Sequence, residues 1–437
     1  MLLEFKTKNY KSFKSELVFS MLPAPKQKGL DYSVLSEQIG SKVYKGLCSA
    51  VVYGPNASGK TNLIGAMEVF KSVVLRGDIR NSDGRNEPNV ALNKLELIPN
   101  AENKEREPTF FSIKFIESGL LLEYKLLLDF GKFLEKDYKR KILSESLFID
   151  DTMIFSRNDT LNLGNLKIIE NYWVNGFRDS EAGVANLAKN NLNDEELFLM
   201  NGFKVMFSSK LVNIISSWLE NKLTVIYRAD AVQTISVLPN PKEKTVYIQK
   251  SFNEAARMFG VSSNRLGLIV NEEDSKPTRI SILDGERAVL SEVFESYGTI
   301  RFLNIFPLIE RALISGGTLI VDEFDASLHP MALMSIINVF HNDDINTKNA
   351  QLIFNTHNPI FLNSNLFRRD EIKFVERDEV THFSTHYSLS DFGTSGVNAV
   401  RRHEDYMKNY FVSRYGAIKD VDFSTIFENL LNNNEEV

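Results

Sequence analysis

The sharpest chemical signal lies in eight consecutive residues, Gly54-Pro55-Asn56-Ala57-Ser58-Gly59-Lys60-Thr61, which fit G-x-x-x-x-G-K-[ST] in full. Glycines in this pattern let backbone N–H groups turn inward around phosphate oxygens, and the start of a following helix adds positive potential. Asn56 and Gly59 belong to that cradle, Lys60 is expected to reach β- and γ-phosphates, and the Thr61 hydroxyl is a ligand for Mg2+. Far downstream, the apolar run Thr318-Leu319-Ile320-Val321 ends in two carboxylates, Asp322 and Glu323. Asp322 is placed to hold the magnesium shell, and Glu323 is a candidate general base that orients and polarises water for attack on a γ-phosphate. The expected ligands are a nucleoside triphosphate and Mg2+.

These residues must be positioned by strand, loop and helix. Ala50-Val51-Val52-Tyr53 reads as a short buried strand, and Leu63, Met67, Phe70 and Val74 recur at helical spacing in the segment after the loop. The segment from Leu2 to Phe19 alternates apolar and polar residues around Asn9-Tyr10-Lys11-Ser12-Phe13, as a strand, turn and second strand would. Period-two runs between Pro108 and Phe155 predict an antiparallel sheet. From about 180 to 260 the pattern predicts helices, with Trp218 and Leu219 on an apolar face. A strand at Leu223 to Tyr227 and a turn at Pro239-Asn240-Pro241 interrupt them. The expectation is an α/β head with a mixed central sheet, an antiparallel β lobe and an α-helical insertion. Its divisions are an N-terminal lobe at 1–175, a mainly helical insertion at 176–265 and a C-terminal lobe at 266–437.

Composition excludes several classes. A hydrophobic fraction of 43% and a charged fraction of 25% in 437 residues are ordinary for a globular chain. No run is long and apolar enough for a membrane helix, and Leu2-Leu3-Glu4-Phe5-Lys6 lacks the apolar core of a signal peptide, so a cytoplasmic location without membrane contact is expected. The net charge of −6 argues against coating nucleic acid through bulk positive charge. The basic stretch Lys136, Lys139, Arg140 and Lys141 alternates with Glu135 and Asp137, as a solvated turn does. Cys48 is the single cysteine and reads as a small core residue. Asn93-Lys94-Leu95-Glu96 is a near miss to a guanine-specificity motif, with Glu in place of Asp and on the wrong side of the carboxylate pair. The tail Asn432 to Glu436 reads as frayed.

Three tracts carry a family resemblance: Phe294-Glu295-Ser296-Tyr297-Gly298-Thr299-Ile300-Arg301, then Asp322-Glu323-Phe324-Asp325-Ala326-Ser327-Leu328-His329-Pro330, then Phe354-Asn355-Thr356-His357-Asn358-Pro359. They resemble the signature, Walker B with D-loop, and switch histidine of ABC ATPases, a resemblance that implies ATP as the nucleoside triphosphate. More narrowly, they are similar to the RloA, AbiLii and OLD-like ATPases of bacterial anti-phage systems. The Asn9-to-Phe13 turn is similar to that of RecF- and SMC-like members, which places Lys11 among the expected ATP contacts. The late segments Tyr387 to Phe392 and Arg414 to Ile418 are similar to the RloA-like tail.

The resemblance implies a homodimer or higher homo-oligomer in which Ser296 and Gly298 contact the γ-phosphate held by the opposite subunit. It implies His357 at the γ-phosphate or attacking water, and Asp325 and Ser327 in a cross-subunit loop. His329 is expected to orient the loop beside Pro330, with His341, His382, His386 and His403 as surface or packing residues. The roughly eighty residues after His357 leave too little chain for an appended Toprim nuclease, on the usual scale of domains. A separate effector, of a Toprim, RloB-like or HNH kind, is therefore implied, with DNA or a phage protein as trigger. The alternative is a RecF- or SMC-like ATPase that clamps DNA.

Overall fold

In the computed structural model, the residues described are all but 26, 28, 81–95, 104, 136–137, 228–244, 261–264, 271–276, 284–286, 395–398, 420 and 434–437. The strand Ser49–Tyr53 is buried along its whole length, which explains its continuous apolar run. Its side chains alternate between two cores. Ala50 and Val52 join the core shared with the phosphate-loop helix, whereas Val51 and Tyr53 join the core on the opposite face. The same alternation separates Ile320 from Leu319 and Val321, and Ile353 from Leu352 and Phe354. Two layers therefore cover a sheet buried on both faces.

That central sheet has six strands, in the order Leu223–Ile226, Thr318–Val321, Gln351–Asn355, Ser49–Tyr53, Ile372–Arg377, Ser384–Ser388. The first five run parallel and the last antiparallel, a mixed sheet. The phosphate loop and the two carboxylates leave adjacent regions of the sheet at the same, C-terminal ends of their strands. Chain order does not bring them together: the strand Gln351–Asn355, last of the three in sequence, lies between the other two.

The second large sheet has seven antiparallel strands, in the order Leu161–Leu163, Thr152–Arg157, Lys141–Ile149, Leu120–Asp129, Thr109–Glu117, Leu2–Lys8, Leu17–Ser20. The helix Lys60–Arg76 packs between the two sheets through Leu63, Met67, Phe70 and Val74. Phe70 stands at the centre of this layer, its ring 6.1 Å from Phe5, 6.3 Å from Phe111 and 6.2 Å from Tyr124. The expected antiparallel lobe and strand–loop–helix unit are both present.

Helical segments at Glu181–Asn190, Leu199–Phe203, Ser209–Ser217 and Trp218–Lys222 cover the antiparallel sheet. Trp218 stacks on Phe115 with ring centroids 3.9 Å apart, so the apolar helical face reaches the β lobe directly. The chain then supplies the edge strand Leu223–Ile226 of the central sheet. A four-stranded antiparallel sheet, Val246–Tyr247, Arg265–Val270, Pro277–Leu283 and Arg287–Leu290, precedes the long helix Tyr297–Ser315. The helix Lys250–Phe259 packs against that long helix, with Phe259 stacked on Phe302 at 4.3 Å.

The Pro239-Asn240-Pro241 turn and residues 93–95 lie outside the described residues, as do Lys136, Asp137 and most of the polar tail. Among the described residues, no helix is long and apolar enough to cross a membrane.

Candidate nucleotide-binding site

The phosphate loop bends between its strand and helix through left-handed backbone at Ala57 (φ 62°) and Gly59 (φ 114°). At Gly59 a side chain is excluded on two counts. The conformation favours glycine, and an added Cβ would fall 2.6 Å from Ser384 Oγ and 2.8 Å from Ser12 Oγ. The loop is clamped from outside by Ser384, whose hydroxyl donates to Ser58 O at 2.5 Å and whose N–H donates to Ser12 O at 2.8 Å. Asn56 and Ala57 are exposed and line a cleft of about 720 Å³ with Arg377, His382 and Lys419.

Lys60 is buried at the first turn of the helix. Its ammonium donates to Gly54 O at 2.7 Å and Pro55 O at 3.0 Å. Burial lowers its pKa to about 8, opposed by the nearby carboxylates of Asp322, Glu323 and Asp325. A cation held by neutral carbonyls in a glycine-bearing loop is poised for an anion, whose arrival restores its full charge. Thr61 Oγ1 donates to Asp322 Oδ1 at 3.2 Å. A hydroxyl and a carboxylate meeting there form a hard-oxygen donor pair that fits Mg2+.

Asn355 organises the carboxylate side. Its amide nitrogen donates to Asp322 Oδ1, and its amide oxygen accepts from the Glu323 backbone N–H. Glu323 adopts left-handed backbone (φ 50°), a conformation costing a non-glycine residue roughly 1–3 kcal/mol. The surrounding bonds hold it there: Asn355 takes its N–H, and Arg301 donates to its carbonyl at 2.9 Å. The Glu323 side chain faces solvent. His357 follows the same strand as Asn355. Its pKa is lowered first by desolvation and next by the Lys60 ammonium, against Asp325 and Asp322. The imidazole therefore belongs to the same electrostatic site as the phosphate loop.

Ser296 and Gly298 open the long helix. Ser296 caps it, its hydroxyl accepting from Thr299 N–H at 3.2 Å. Gly298 lies on the loop after the carboxylates, where an added Cβ would come within 2.5 Å of Ser327 O. Ser296, Tyr297, Glu323 and Ser327 are all exposed, so the start of the long helix and the carboxylate loop present one open face. Lys11 is engaged elsewhere: its ammonium pairs with Glu96 and donates to the Tyr227 hydroxyl at 3.0 Å. Its neighbour Ser12 accepts from Asn62 of the phosphate-loop helix at 2.8 Å.

The structure thus brings Asn56, Gly59, Lys60, Thr61, Asp322, Glu323, Asp325 and His357 to one end of the central sheet, with Ser296 and Gly298 beside the carboxylate loop. The family described as "AAA domain, putative AbiEii toxin, Type IV TA system" matches residues 49–171 and 212–363, more than half of the chain. The chain belongs to this AAA-domain family. No curated protein matches it. Among solved structures, an SMC head bound to the C-winged helix domain of ScpA is 13% identical, with a TM-score of 0.38, covering 89% of this chain and 98% of that one. The SMC head domain from Thermotoga maritima is 14% identical, with a TM-score of 0.35 and coverages of 89% and 98%. The Smc head with an extended coiled coil, bound to the C-terminal domain of ScpA derived from Pyrococcus furiosus, is 12% identical, with a TM-score of 0.39 and coverages of 89% and 97%.

Two groups of this AAA domain go beyond the motif residues. Asn355 and Arg301 both fall inside quoted tracts, but their bonds to Asp322 and Glu323 are long-range contacts that spacing does not encode. Cys48, His341 and Glu371 place potential ligand atoms within 4.8 Å of one another. Ser49 Oγ bridges this group, 2.9 Å from His341 Nε2 and donating to Glu371 Oε1 at 2.6 Å. This buried node ties together chain segments at the end of the sheet away from the phosphate loop. His329 caps its helix by accepting from Met331 N–H at 3.2 Å, and His386 packs beside Phe19.

Proposed function

We propose that this AAA domain is the ATPase subunit of an anti-phage, abortive-infection complex, in which it senses the trigger and controls a separate nuclease or toxin effector. Two copies, at least, sandwich two ATP molecules, each between one phosphate loop and the opposite signature, and hydrolysis reopens them. The observation that carries the composite site is the open face formed by Ser296, Tyr297, Glu323 and Ser327. Within one chain Ser296 is spent on capping its own helix, while Glu323 points to solvent. A second subunit would cover both. The family description's AbiEii term supports the defence reading.

The mechanism follows from the residues. Lys60 trades its two carbonyl partners for phosphate oxygens and becomes fully charged. Thr61 and Asp322 would hold Mg2+, which neutralises developing charge on the phosphates. Glu323 orients the attacking water and accepts its proton, its backbone fixed by Asn355 and Arg301. His357, kept neutral by its lowered pKa, donates a hydrogen bond to the γ-phosphate or accepts one from the attacking water. Arg301 joins the signature helix to the Glu323 carbonyl, so movement of that helix is felt at the base. The lobes 1–175 and 266–437 meet at this site, with 176–265 as the insertion between them in sequence.

The test is affinity capture of the chain from cells carrying its native gene neighbourhood, with phage protection measured alongside. Recovery of a stoichiometric effector, lost together with protection in Lys60→Ala, is the expected result. A chain that recovers no partner and protects no cell would overturn the defence role. Salt-sensitive, ATP-dependent DNA binding by the isolated chain would favour the DNA-clamping ATPase instead.

A further inference from the structure

The strand Ile372–Arg377 runs parallel to Ser49–Tyr53, so the residues just before it lie at the end of the sheet opposite the phosphate loop. There Arg368, Arg369 and Arg402 line a cavity of about 240 Å³ with Gln27, Gly29 and Tyr406. Its lining also includes the hydroxyl residues Ser364 and Thr394, and no carboxylate among the described residues. Of the three guanidinium groups around this void, only that of Arg368 is paired with a carboxylate among the described residues. Arg368 is paired with Asp370 through Nε at 3.0 Å and a terminal nitrogen at 2.9 Å, and its other terminal nitrogen donates to Gly29 O at 2.9 Å.

Arg369 is buried yet meets only neutral oxygens. It donates to Gly393 O at 2.7 Å and to Val400 O. Arg402 is exposed, and its guanidinium has no hydrogen-bond or ion-pair partner among the described residues, its carbonyl accepting from the Tyr406 hydroxyl at 3.1 Å. Its guanidinium lies on the bare face of Gly29, where an added Cβ would fall 2.2 Å from the central carbon of the group. The absence of a side chain at Gly29 therefore creates the position Arg402 occupies. One more polar group is unmatched: the side-chain oxygen of Gln27 is buried without a hydrogen-bond partner. A lining that combines a buried unsatisfied acceptor, a buried guanidinium held only by carbonyls and an exposed guanidinium without a carboxylate fits a ligand that is both anionic and a hydrogen-bond donor.

We infer that this cavity binds the phosphate of a nucleoside monophosphate unit, distinct from the triphosphate site at the other end of the sheet. Arg369 and Arg402 supply planar donor forks matched to phosphate oxygens, Ser364 and Thr394 add hydroxyl donors, and Gln27 accepts from the nucleoside. The volume suits a single such unit, being below the usual range for larger ligands. A free mononucleotide and the 5′-phosphorylated end of a nucleic-acid strand share this chemistry. The cavity gives the ATPase a ligand input at a distance from its catalytic residues, linked to the phosphate loop by adjacent parallel strands.

The test is calorimetric titration of the Lys60→Ala chain, which silences the triphosphate site, with AMP and with a short single-stranded oligonucleotide carrying a 5′-phosphate or a 5′-hydroxyl. Saturable binding that requires the phosphate is expected. Arg402→Glu should weaken it about tenfold or more, Gly29→Ala should weaken it by displacing Arg402, and Arg401→Glu, outside the cavity lining, should leave it unchanged. Tighter binding of AMP than of the 5′-phosphorylated strand assigns the site to free nucleotide, and the reverse assigns it to a nucleic-acid end. Absence of saturation by every phosphorylated probe, or equal affinity in folded Arg402→Glu, overturns the inference.

Discussion

Asp322 accepts hydrogen bonds from Thr61 of the phosphate loop and from Asn355 of the neighbouring strand, so one carboxylate couples both halves of the site. Lys60 faces the same group from inside the loop, and its pKa of about 8 reflects burial without a direct ion pair. The sign of the pH dependence follows. Lys60 is charged below about pH 8, so affinity for a non-hydrolysable ATP analogue should fall as pH rises from 7 to 9, as measured by titration. Lys60→Arg should abolish that slope if it binds, since guanidinium stays charged. Stability runs the other way: a lysine pKa lowered on folding leaves a buried charge unfavourable below about pH 8, and that cost is relieved between pH 8 and the unfolded value near 10.5. Lys60→Ala should eliminate nucleotide binding, read by fluorescence anisotropy of a labelled ATP. Glu323→Gln should keep ATP binding and lower turnover by about 10²–10⁴-fold, the usual contribution of a general base, accumulating an ATP-bound dimer in size-exclusion chromatography. Normal turnover in that variant would remove Glu323 from the mechanism.

At the scale of elements, the phosphate-loop helix is the part on which both sheets depend. Its face Leu63, Met67, Phe70 and Val74 is legible as helical periodicity, because each of those side chains must reach a core. What it packs against is not legible: Phe5, Phe111 and Tyr124 come from three separate strands. Phe70→Ala should cost about 3–5 kcal/mol of stability by transfer and cavity terms together, measured by denaturant unfolding, with loss of ATP binding only as the fold is lost. The four-stranded sheet within 246–290 was not anticipated, since its strands are short and separated by polar residues that give weak period-two contrast. The strand Leu223–Ile226 was anticipated from its β-branched run, but its place beside Thr318–Val321 rests on tertiary pairing.

At the scale of the molecule, the two faces of the central sheet enclose separate cores, and its two ends carry different chemistry. One end holds the phosphate loop, carboxylates and histidine; the other holds the arginine cavity and the Cys48–Ser49–His341–Glu371 node. If the nucleotide site is composite, mixing inactive Lys60→Ala with inactive Ser296→Arg should restore part of the ATPase activity, because mixed dimers regain one intact site. Specific activity of the unmutated chain should also rise with its concentration in a phosphate-release assay. Strictly additive, inactive mixtures would confine catalysis to one subunit. The sequence by itself determined the chemistry of the phosphate loop and of Asp322-Glu323, because contiguous residues with fixed backbone demands are written in a local pattern. It also determined the strand–loop–helix around them through periodicity. Only the tertiary structure decided that Asn355 and Arg301 fix Glu323, that Lys11 is held by Glu96 and Tyr227, and that Arg369 and Arg402 share a cavity with Gly29. Those contacts join residues tens to hundreds of positions apart, and their partners are chosen by sheet order and packing, which no local spacing records.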